Sequence, residues 1–368
     1  MKILISGGGT GGHIYPALTI IEAIRDLEPA AEFLYVGTKQ GLEKDIVPRE
    51  NIPFETMDLL GFERKISLEN LRRGYMAFKG LLKAGNIVES FRPNVAIGTG
   101  GYVCGPILFT ASLMGAPSLI QEQNAVAGVT NRILSKVVTK IALGNEAAKR
   151  FFPADKSVYT GNPIRKSVTL GDKKAALKTF GFTENLPTLL VTGGSRGAKS
   201  INEAMVYILK TEAEKKRMQI LLVTGKYSYD EILNSIKEKV PNIESLPNIK
   251  IVPYLYNMPE ALSMADIVVM RAGAIALAEI AAIGKPAILV PYPFATGNHQ
   301  EANARAFVEK RAAKMILNKD LNAEILLKNI EEIIFDESLR AAMGENMKSL
   351  GKPQAATDIA KLALSIAK

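Results

Sequence analysis

The sequence predicts an α/β protein with two doubly wound domains, each built on a parallel sheet covered by helices. Short β-branched runs alternate with helical patterns along the whole chain, as in sheets with helical crossovers. Segments such as LLVT and IVVM are continuously apolar, as expected of strands covered on both faces. A strand, a glycine-rich loop and a helix follow one another twice, from Lys2 and from Thr188.

The order of the elements divides the chain in two, and 368 residues exceed the usual size of one core. The first half has predicted strands at 2–6, 32–36, 94–98, 118–121 and 139–143. The second half has them at 188–192, 219–224, 250–253, 266–270, 287–290 and 314–317. A Gly-Asn-Pro sequence breaks local structure at 161–163. We therefore expect domains at 1–162 and 163–352, followed by a helical segment at 353–368.

Composition excludes several classes of protein. The hydrophobic fraction of 47% argues against general disorder, and the single cysteine forms no intramolecular disulfide, which fits a reducing cytosol. Two histidines and one cysteine give no convincing zinc site. No signal peptide and no transmembrane segment is expected, because the apolar runs are too short. The net charge of +9 attracts anions, but the lack of tryptophan and of nucleic-acid motifs favours phosphorylated ligands and lipid headgroups.

Glycine-rich loops follow three predicted strands, at 7–12, 98–101 and 193–197. Glycines let the backbone approach a ligand closely, and the next helix offers unpaired N–H groups, so such loops bind phosphate. A dinucleotide site needs an acidic residue after the second strand, which here ends Val-Gly-Thr. The loop at 193–197 is not a Walker loop, because no Gly-Lys-Ser/Thr follows it. The loops therefore favour transfer between two phosphorylated ligands over a dehydrogenase or a nucleoside triphosphatase. A tight turn without a ligand is the alternative for any single loop.

Several polar residues occupy positions that are unusual for polar side chains unless they bind a ligand. Glu279 is the only charge in an apolar helix, and two ribose hydroxyls would satisfy its carboxylate. His13 begins a helix, whose dipole keeps the imidazole neutral and available as a base. The polar run 121–124 ends a buried strand, and Arg165 follows the domain junction. Each feature also has a purely structural interpretation. Glu279 could be an exposed glutamate, His13 a capping histidine, the run 121–124 an ordinary loop and Arg165 a surface arginine.

The stretch 61–85 is basic and amphipathic. Six Lys and Arg residues stand against two Glu, a net charge of +4, with apolar residues at helical spacing. Such a helix can lie on anionic lipid. An ordinary helix with its apolar face in the core is equally consistent with the pattern.

Seven motifs, in order and over essentially the whole chain, resemble the peptidoglycan N-acetylglucosaminyltransferases of glycosyltransferase family 28. They are GGGTGGHIYPAL from Gly7, GTGGYVCGP from Gly98, QEQNAVAGVTNR from Gln121, GNPIR from Gly161, TGGSRGAKSIN from Thr192, RAGA with AEIAAIGKP from Arg271, and NHQEANA from Asn298.

This resemblance implies a GT-B fold, in which two Rossmann-like domains face each other across a cleft and the C-terminal helix crosses back to the first. It also implies an inverting transfer of GlcNAc from UDP-GlcNAc to the C4 hydroxyl of MurNAc on undecaprenyl-diphospho-MurNAc-pentapeptide. The enzyme would act as a peripheral protein on the cytoplasmic face of the bacterial plasma membrane. It would need neither cofactor nor metal and would bind no nucleic acid.

The resemblance also implies binding residues. For the base that an inverting transfer needs, we propose His13, with Glu122 either as the rival or as the residue that orients His13. The acceptor diphosphate would lie on Gly9, Gly100, Gly101 and Tyr102. The UDP-GlcNAc site would comprise Thr10, Gly11, Gly12, Asn124, Arg165, Ser195, Leu255, Ala274, Ile275, Ala276, Leu277, Ala278, Glu279 and Gln300. One departure is Ala276, where the family commonly has threonine, so a hydroxyl near the donor diphosphate is missing.

Two other functions stay open from the sequence. A UDP-GlcNAc 2-epimerase would share the fold and the donor but would need neither the basic stretch nor the loop at Gly98. A non-catalytic sensor would bind UDP-GlcNAc without transferring the sugar. A lipid-linked acceptor separates all three functions.

Overall fold

The computed structural model describes the backbone of residues 1–58 and 68–368, and the side chains of 1–58 and 79–368. The chain forms two compact units. The first unit comprises Met1–Ile164 and Lys352–Lys368, and the second comprises Arg165–Gly351. Most of the basic stretch at 61–85 therefore lies outside the residues whose side chains are described.

The first unit contains a seven-stranded parallel sheet in the order β3-β2-β1-β4-β5-β6-β7. The strands are β1 (Lys2–Ser6), β2 (Glu32–Thr38), β3 (Phe54–Met57), β4 (Val95–Gly98), β5 (Ser118–Glu122), β6 (Lys140–Leu143) and β7 (Ser157–Tyr159). The α-helices are α1 (Gly11–Leu27), α2 (Glu43–Ile46), α3 (Leu68–Phe91), α4 (Cys104–Leu113) and α5 (Val129–Leu134).

The second unit repeats this arrangement with six parallel strands in the order β10-β9-β8-β11-β12-β13. The strands are β8 (Thr188–Thr192), β9 (Gln219–Val223), β10 (Ile249–Val252), β11 (Ile267–Met270), β12 (Ala287–Leu289) and β13 (Ala313–Met315). The helices are α6 (Lys166–Thr169), α7 (Lys173–Phe180), α8 (Lys199–Lys215), α9 (Tyr229–Lys237), α10 (Met258–Met264), α11 (Ala274–Ala282), α12 (His299–Glu309), α13 (Ala323–Ile334) and α14 (Glu337–Ser349).

The last helix, α15 (Ala355–Ile366), belongs to the first unit, where it packs on α1. Its Ile359 is fully buried in the cluster that Ile3 and Ile5 of β1 form with α1. Leu4 points to the other face of the same strand, among residues of α3 and α4. Successive side chains of β1 thus enter opposite cores, which explains why the strand is apolar on both faces. None of the described helices is both long and apolar enough to cross a membrane.

The prediction of two doubly wound α/β domains is confirmed, and every predicted strand is present within a few residues of its expected bounds. The sequence missed β3 and β7, which are the two edge strands of the first sheet. Both are short and only partly buried, so neither carries the continuous apolar run that marked the others.

Each sheet reverses its strand order at one place, between β1 and β4 in the first unit and between β8 and β11 in the second. Ligands of open parallel sheets bind at such switch points, beyond the carboxyl ends of the strands. The loops at 7–12 and 98–101 follow β1 and β4, and the loop at 193–197 follows β8. The topology therefore brings all three glycine loops to switch points.

Candidate active site

The loops after β1 and β4 lie against each other at the switch point of the first unit. The amide of Gly8 donates to the carbonyl of Gly100 at 3.3 Å. Gly101 has a φ of +86°, and a Cβ atom there would lie 2.4 Å from the Gly8 oxygen. Only glycine permits this approach. The predicted acceptor residues Gly9, Gly100, Gly101 and Tyr102 are thus close together, since a Cβ on Gly9 would lie 3.8 Å from the Tyr102 ring.

His13 lies in the first turn of α1, next to the glycine loop that follows β4. Its Nδ1 lies 3.0 Å from the Thr99 carbonyl, and the Thr99 hydroxyl donates to the His13 carbonyl at 2.7 Å. Because a carbonyl oxygen only accepts, Nδ1 carries the hydrogen in this contact. In the neutral ring it is then Nε2 that carries the lone pair. The contact fixes the tautomer that a general base requires.

Glu122 ends β5 and is almost fully buried, at 1% exposed. Its Oε1 accepts from the amide of Asn124 at 3.0 Å, and its Oε2 accepts from Gly128 N and Asn131 Nδ2, both at 2.9 Å. Both carboxylate oxygens are therefore occupied in holding the loop that follows β5. Next to it, Gln123 donates to the Thr99 carbonyl at 2.6 Å, which joins this loop to the His13 contact.

One carboxylate beside the first loop was not singled out from the sequence. Glu43, at the start of α2, is fully buried and accepts from the amide of Gly9 at 3.1 Å. Tyr35 lies on the same side of the loop and donates to the Gly7 carbonyl at 2.6 Å. Burial raises the pKa of Tyr35 well above its ordinary value, and the nearby Glu43 adds to this, so the phenol stays protonated. A carboxylate five residues after β2, at the start of a one-turn helix, gives no sequence signal of such a contact.

The loop after β8 is built on equally close backbone contacts. A Cβ atom on Gly197 would lie 2.0 Å from the Thr224 carbonyl, which follows β9. Asn202 of α8 donates to the same carbonyl at 2.9 Å. The predicted diphosphate residue Ser195 lies at the exposed tip of this loop. The backbone at this tip and the Ser195 side chain are therefore exposed between the end of β8 and the start of α8.

Arg165 and Glu279, both predicted for the donor, form an ion pair within the second unit. Arg165 Nε and Nη2 lie 3.1 and 2.9 Å from Glu279 Oε1, so this pair leaves Oε2 unused. Glu279 is 7% exposed, and burial raises its pKa although the Arg165 charge opposes the shift. The sequence predicted a partner for this carboxylate, but it did not predict that Arg165 would be one.

The other donor residues predicted in the second unit lie along the same edge of its sheet, whereas Thr10, Gly11, Gly12 and Asn124 belong to the first unit. Gly273 caps α11, and a Cβ there would meet nothing within 4 Å, so the helix N-terminus opens to solvent. The predicted residues Ala274, Ile275, Ala276, Leu277 and Ala278 form the first turns of that helix. Leu255 lies three residues beyond β10, half-buried. Gln300 of α12 accepts from the amide of Tyr292 at 2.9 Å.

Arg271 ties these loops together and is half-buried. Its guanidinium donates to the carbonyls of Val290 and Pro291, to Asn318 Oδ1 and to Ser200 Oγ, at 2.9 to 3.3 Å. Burial lowers its pKa. Arg271 thus connects the end of β11 with the segments after β12 and β13 and with α8. Its signal in the sequence is a single charge directly after the apolar run IVVM.

Comparison with known proteins agrees with this geometry. The sequence matches the glycosyltransferase family 28 N-terminal domain over residues 3–143 and the C-terminal domain over residues 188–361. It is 45% identical over 359 residues to a Bacillus cereus protein named UDP-N-acetylglucosamine–N-acetylmuramyl-(pentapeptide) pyrophosphoryl-undecaprenol N-acetylglucosamine transferase 1, covering 98% of this chain and 97% of the relative.

Two solved structures have a similar fold. Acinetobacter baumannii MurG superposes with a TM-score of 0.79 at 27% identity, covering 99% of each chain. The UDP-GlcNAc 2-epimerase of Neisseria meningitidis, bound to UDP-GlcNAc, gives 0.70 at 14% identity, covering 99% of this chain and all of that chain. The second likeness concerns the fold alone. On the two domain matches and the 45% identity, the chain belongs to glycosyltransferase family 28.

Proposed function

We propose that this protein transfers GlcNAc from UDP-GlcNAc to the C4 hydroxyl of MurNAc in undecaprenyl-diphospho-MurNAc-pentapeptide, with inversion at the anomeric carbon. The observation that carries the proposal is the His13 imidazole, held by Thr99 at the meeting point of two glycine loops. A base beside two anion-binding loops suits an acceptor with a hydroxyl and a diphosphate. The near full-length B. cereus relative, whose name describes this reaction, supports the same choice.

The step is a single displacement through an oxocarbenium-like state. His13 Nε2 takes the proton of the C4 hydroxyl as its oxygen bonds to the anomeric carbon, and UDP leaves with the electrons of the broken bond. The negative charge that develops on UDP needs stabilisation. The N-terminus of α11, the loop at 193–197 and Arg165 would supply it.

Glu122 has a different role in this proposal. Its two oxygens already accept four hydrogen bonds, two each, and its side chain is almost wholly buried. A carboxylate so engaged is a poor candidate for taking a proton from a sugar. We therefore assign the base to His13, and we assign to Glu122 the positioning of Asn124, a predicted donor ligand.

The decisive experiment uses labelled UDP-GlcNAc and lipid-linked MurNAc-pentapeptide. Labelled disaccharide on the lipid supports the proposal. Free epimer or free sugar without labelled lipid would indicate an epimerase or a hydrolase. Donor binding without any turnover would indicate a sensor, and either result would overturn the proposal.

Glu279 would recognise the ribose of the donor, because its Oε2 is not used by Arg165 and an ionised carboxylate accepts from both hydroxyls. We expect Glu279→Gln to weaken UDP binding about 10- to 100-fold, the loss for hydrogen bonds to a charged group. Calorimetry with UDP and with 2′-deoxy-UDP measures the two dissociation constants. The wild-type protein should prefer UDP, and the variant should lose most of that preference.

A matched control is Glu345→Gln, which removes a charge from an exposed position of the same unit. It should bind both nucleotides as the wild-type protein does. If Glu279→Gln kept the full preference for UDP over 2′-deoxy-UDP, the ribose contact would be wrong.

For the membrane, we propose that α5 helps the first unit rest on anionic lipid. Val129 and Ile133 are 70% and 59% exposed and share a helix face, being four residues apart. Arg132 and Lys136 lie exposed beside them. Apolar side chains flanked by cations are typical of surfaces that insert shallowly between lipid headgroups. In this proposal the protein acts at the cytoplasmic face of the plasma membrane, where it would reach the acceptor lipid.

The membrane proposal predicts that the double variant Val129→Asp, Ile133→Asp binds phosphatidylglycerol vesicles about tenfold or more weakly, because two apolar groups no longer leave water. Vesicle co-sedimentation measures this. Leu170→Asp is the control, because Leu170 is 79% exposed on the second unit. Equal losses in the two proteins, or no loss in the double variant, would contradict the assignment of α5.

A further inference from the structure

The carboxylate of Glu43 fills a closed space behind the first glycine loop. The side chain is fully buried. Three glycines surround it, and a Cβ atom on Gly8, Gly37 or Gly41 would lie 2.1 to 2.5 Å from its atoms. Two of these glycines lie outside the loop itself, at the end of β2 and just beyond it. Glycine therefore stands at three positions where any larger residue would collide with Glu43.

Both oxygens of Glu43 have defined partners. Oε1 accepts from the amide of Thr38 at 2.9 Å and from its hydroxyl at 2.7 Å. Oε2 accepts from the amide of Gly9 at 3.1 Å. Glu43 therefore joins the end of β2 to the middle of the glycine loop. This use of a carboxylate beyond β2 differs from that of a dinucleotide site, where the acid faces a ribose.

The contact decides which loop amides can face a ligand. The amide of Gly8 donates to Gly100, and that of Gly9 donates to Glu43. Beyond the N-cap Thr10, the amides of Gly11 and Gly12 are in the first turn of α1, where no carbonyl lies four residues earlier in the helix. Glu43 thus fixes Gly9, with its φ of +85°, in the conformation from which α1 begins.

We propose that Glu43 is a positioning residue for the acceptor diphosphate. It holds the loop amide of Gly9 inward, so that the first-turn amides of α1, and His13 behind them, face the acceptor. This inference rests on the proposed function, because it assumes a diphosphate acceptor at this loop. It assigns Glu43 no contact with the substrate.

The test is Glu43→Gln, which keeps the shape but replaces one acceptor oxygen by an NH2 donor. If the amide oxygen takes the two Thr38 donors, the NH2 group faces the N–H of Gly9, and two donors oppose each other. We expect the KM for the lipid acceptor to rise about 10- to 100-fold, as for a small misplacement of a binding loop. Binding of UDP, whose proposed site is in the second unit, should stay unchanged in calorimetry.

Thr38→Val is the matched control. It removes the hydroxyl that donates to Glu43 Oε1 and accepts from Gly41 at 3.0 Å, but it keeps the bond between Glu43 and Gly9. Both variants should lose stability, whereas only Glu43→Gln should change the acceptor KM.

The outcomes separate this inference from the proposed function. A wild-type protein that never labels the lipid refutes the proposed function. An active wild-type protein with an unchanged KM in Glu43→Gln, or with equal changes in both variants, overturns the positioning role alone. If Glu43→Gln does not fold, Gly8→Ala, whose Cβ would displace the carboxylate, gives the same comparison with Thr38→Val.

Discussion

Replacing His13 by alanine is expected to lower kcat about 10²- to 10⁴-fold, the range for loss of a general base. The first turn of α1 would then offer no side chain that can take the proton of the sugar hydroxyl. UDP binding should not change, because the proposed UDP site lies in the second unit. Single-turnover transfer with saturating donor and lipid acceptor measures the chemical step separately from product release.

His13→Asn distinguishes proton transfer from positioning. Asparagine offers an amide NH2 that can still donate to the Thr99 carbonyl, as His13 Nδ1 does at 3.0 Å. It has no basic nitrogen in place of Nε2. If asparagine restored most of the turnover lost in alanine, His13 would hold the loop rather than take the proton. Near-normal turnover in both variants would show that another group is the base.

Gly197→Ala is expected to destabilise the protein by about 3 kcal/mol or more, combining strain at positive φ with overpacking. The φ of Gly197 is +77°, and its Cβ would lie 2.0 Å from the Thr224 carbonyl. That atom belongs to backbone already held by Asn202, so it cannot move aside without disturbing α8. Chemical denaturation gives the free energy of unfolding, and calorimetry gives the accompanying loss of UDP binding.

Gly194→Ala is the matched control in the same loop. Its φ is +85°, but a Cβ there would meet nothing within 4 Å. It should therefore cost only the strain of a left-handed residue, about 1–2 kcal/mol. Equal losses in the two variants would mean that the contact with Thr224 contributes nothing.

Much of the fold could be predicted because a parallel sheet covered on both faces needs continuous apolar strands. Eleven strands carried that pattern, and the glycine loops after β1, β4 and β8 marked where the chain turns into a helix. The edge strands β3 and β7 escaped because they are only partly buried, so their sequences need not be apolar. Prediction was thus most successful where burial leaves the sequence least choice.

The site was less predictable because its side chains meet across long separations in sequence. His13 and Glu279 stood out by local context, since one begins a helix and the other interrupts an apolar one. The residues that contact His13 and Glu279 could not be predicted from the sequence. Thr99 reaches His13 through its backbone oxygen, and Arg165 reaches Glu279 from 114 residues away. Glu43 carries no local signal, because its role depends on glycines that only the folded chain brings around it.

The return of α15 to the first unit has a consequence for synthesis on the ribosome. The core around Ile3, Ile5 and α1 is completed by Ile359, Ala360 and Ala363, which are translated after the entire second unit. The second unit is a single continuous segment and contains all of its own strands. The part of the protein that leaves the ribosome first is therefore finished last. The apolar face of α1 stays uncovered by α15 until that helix is made, more than three hundred residues later.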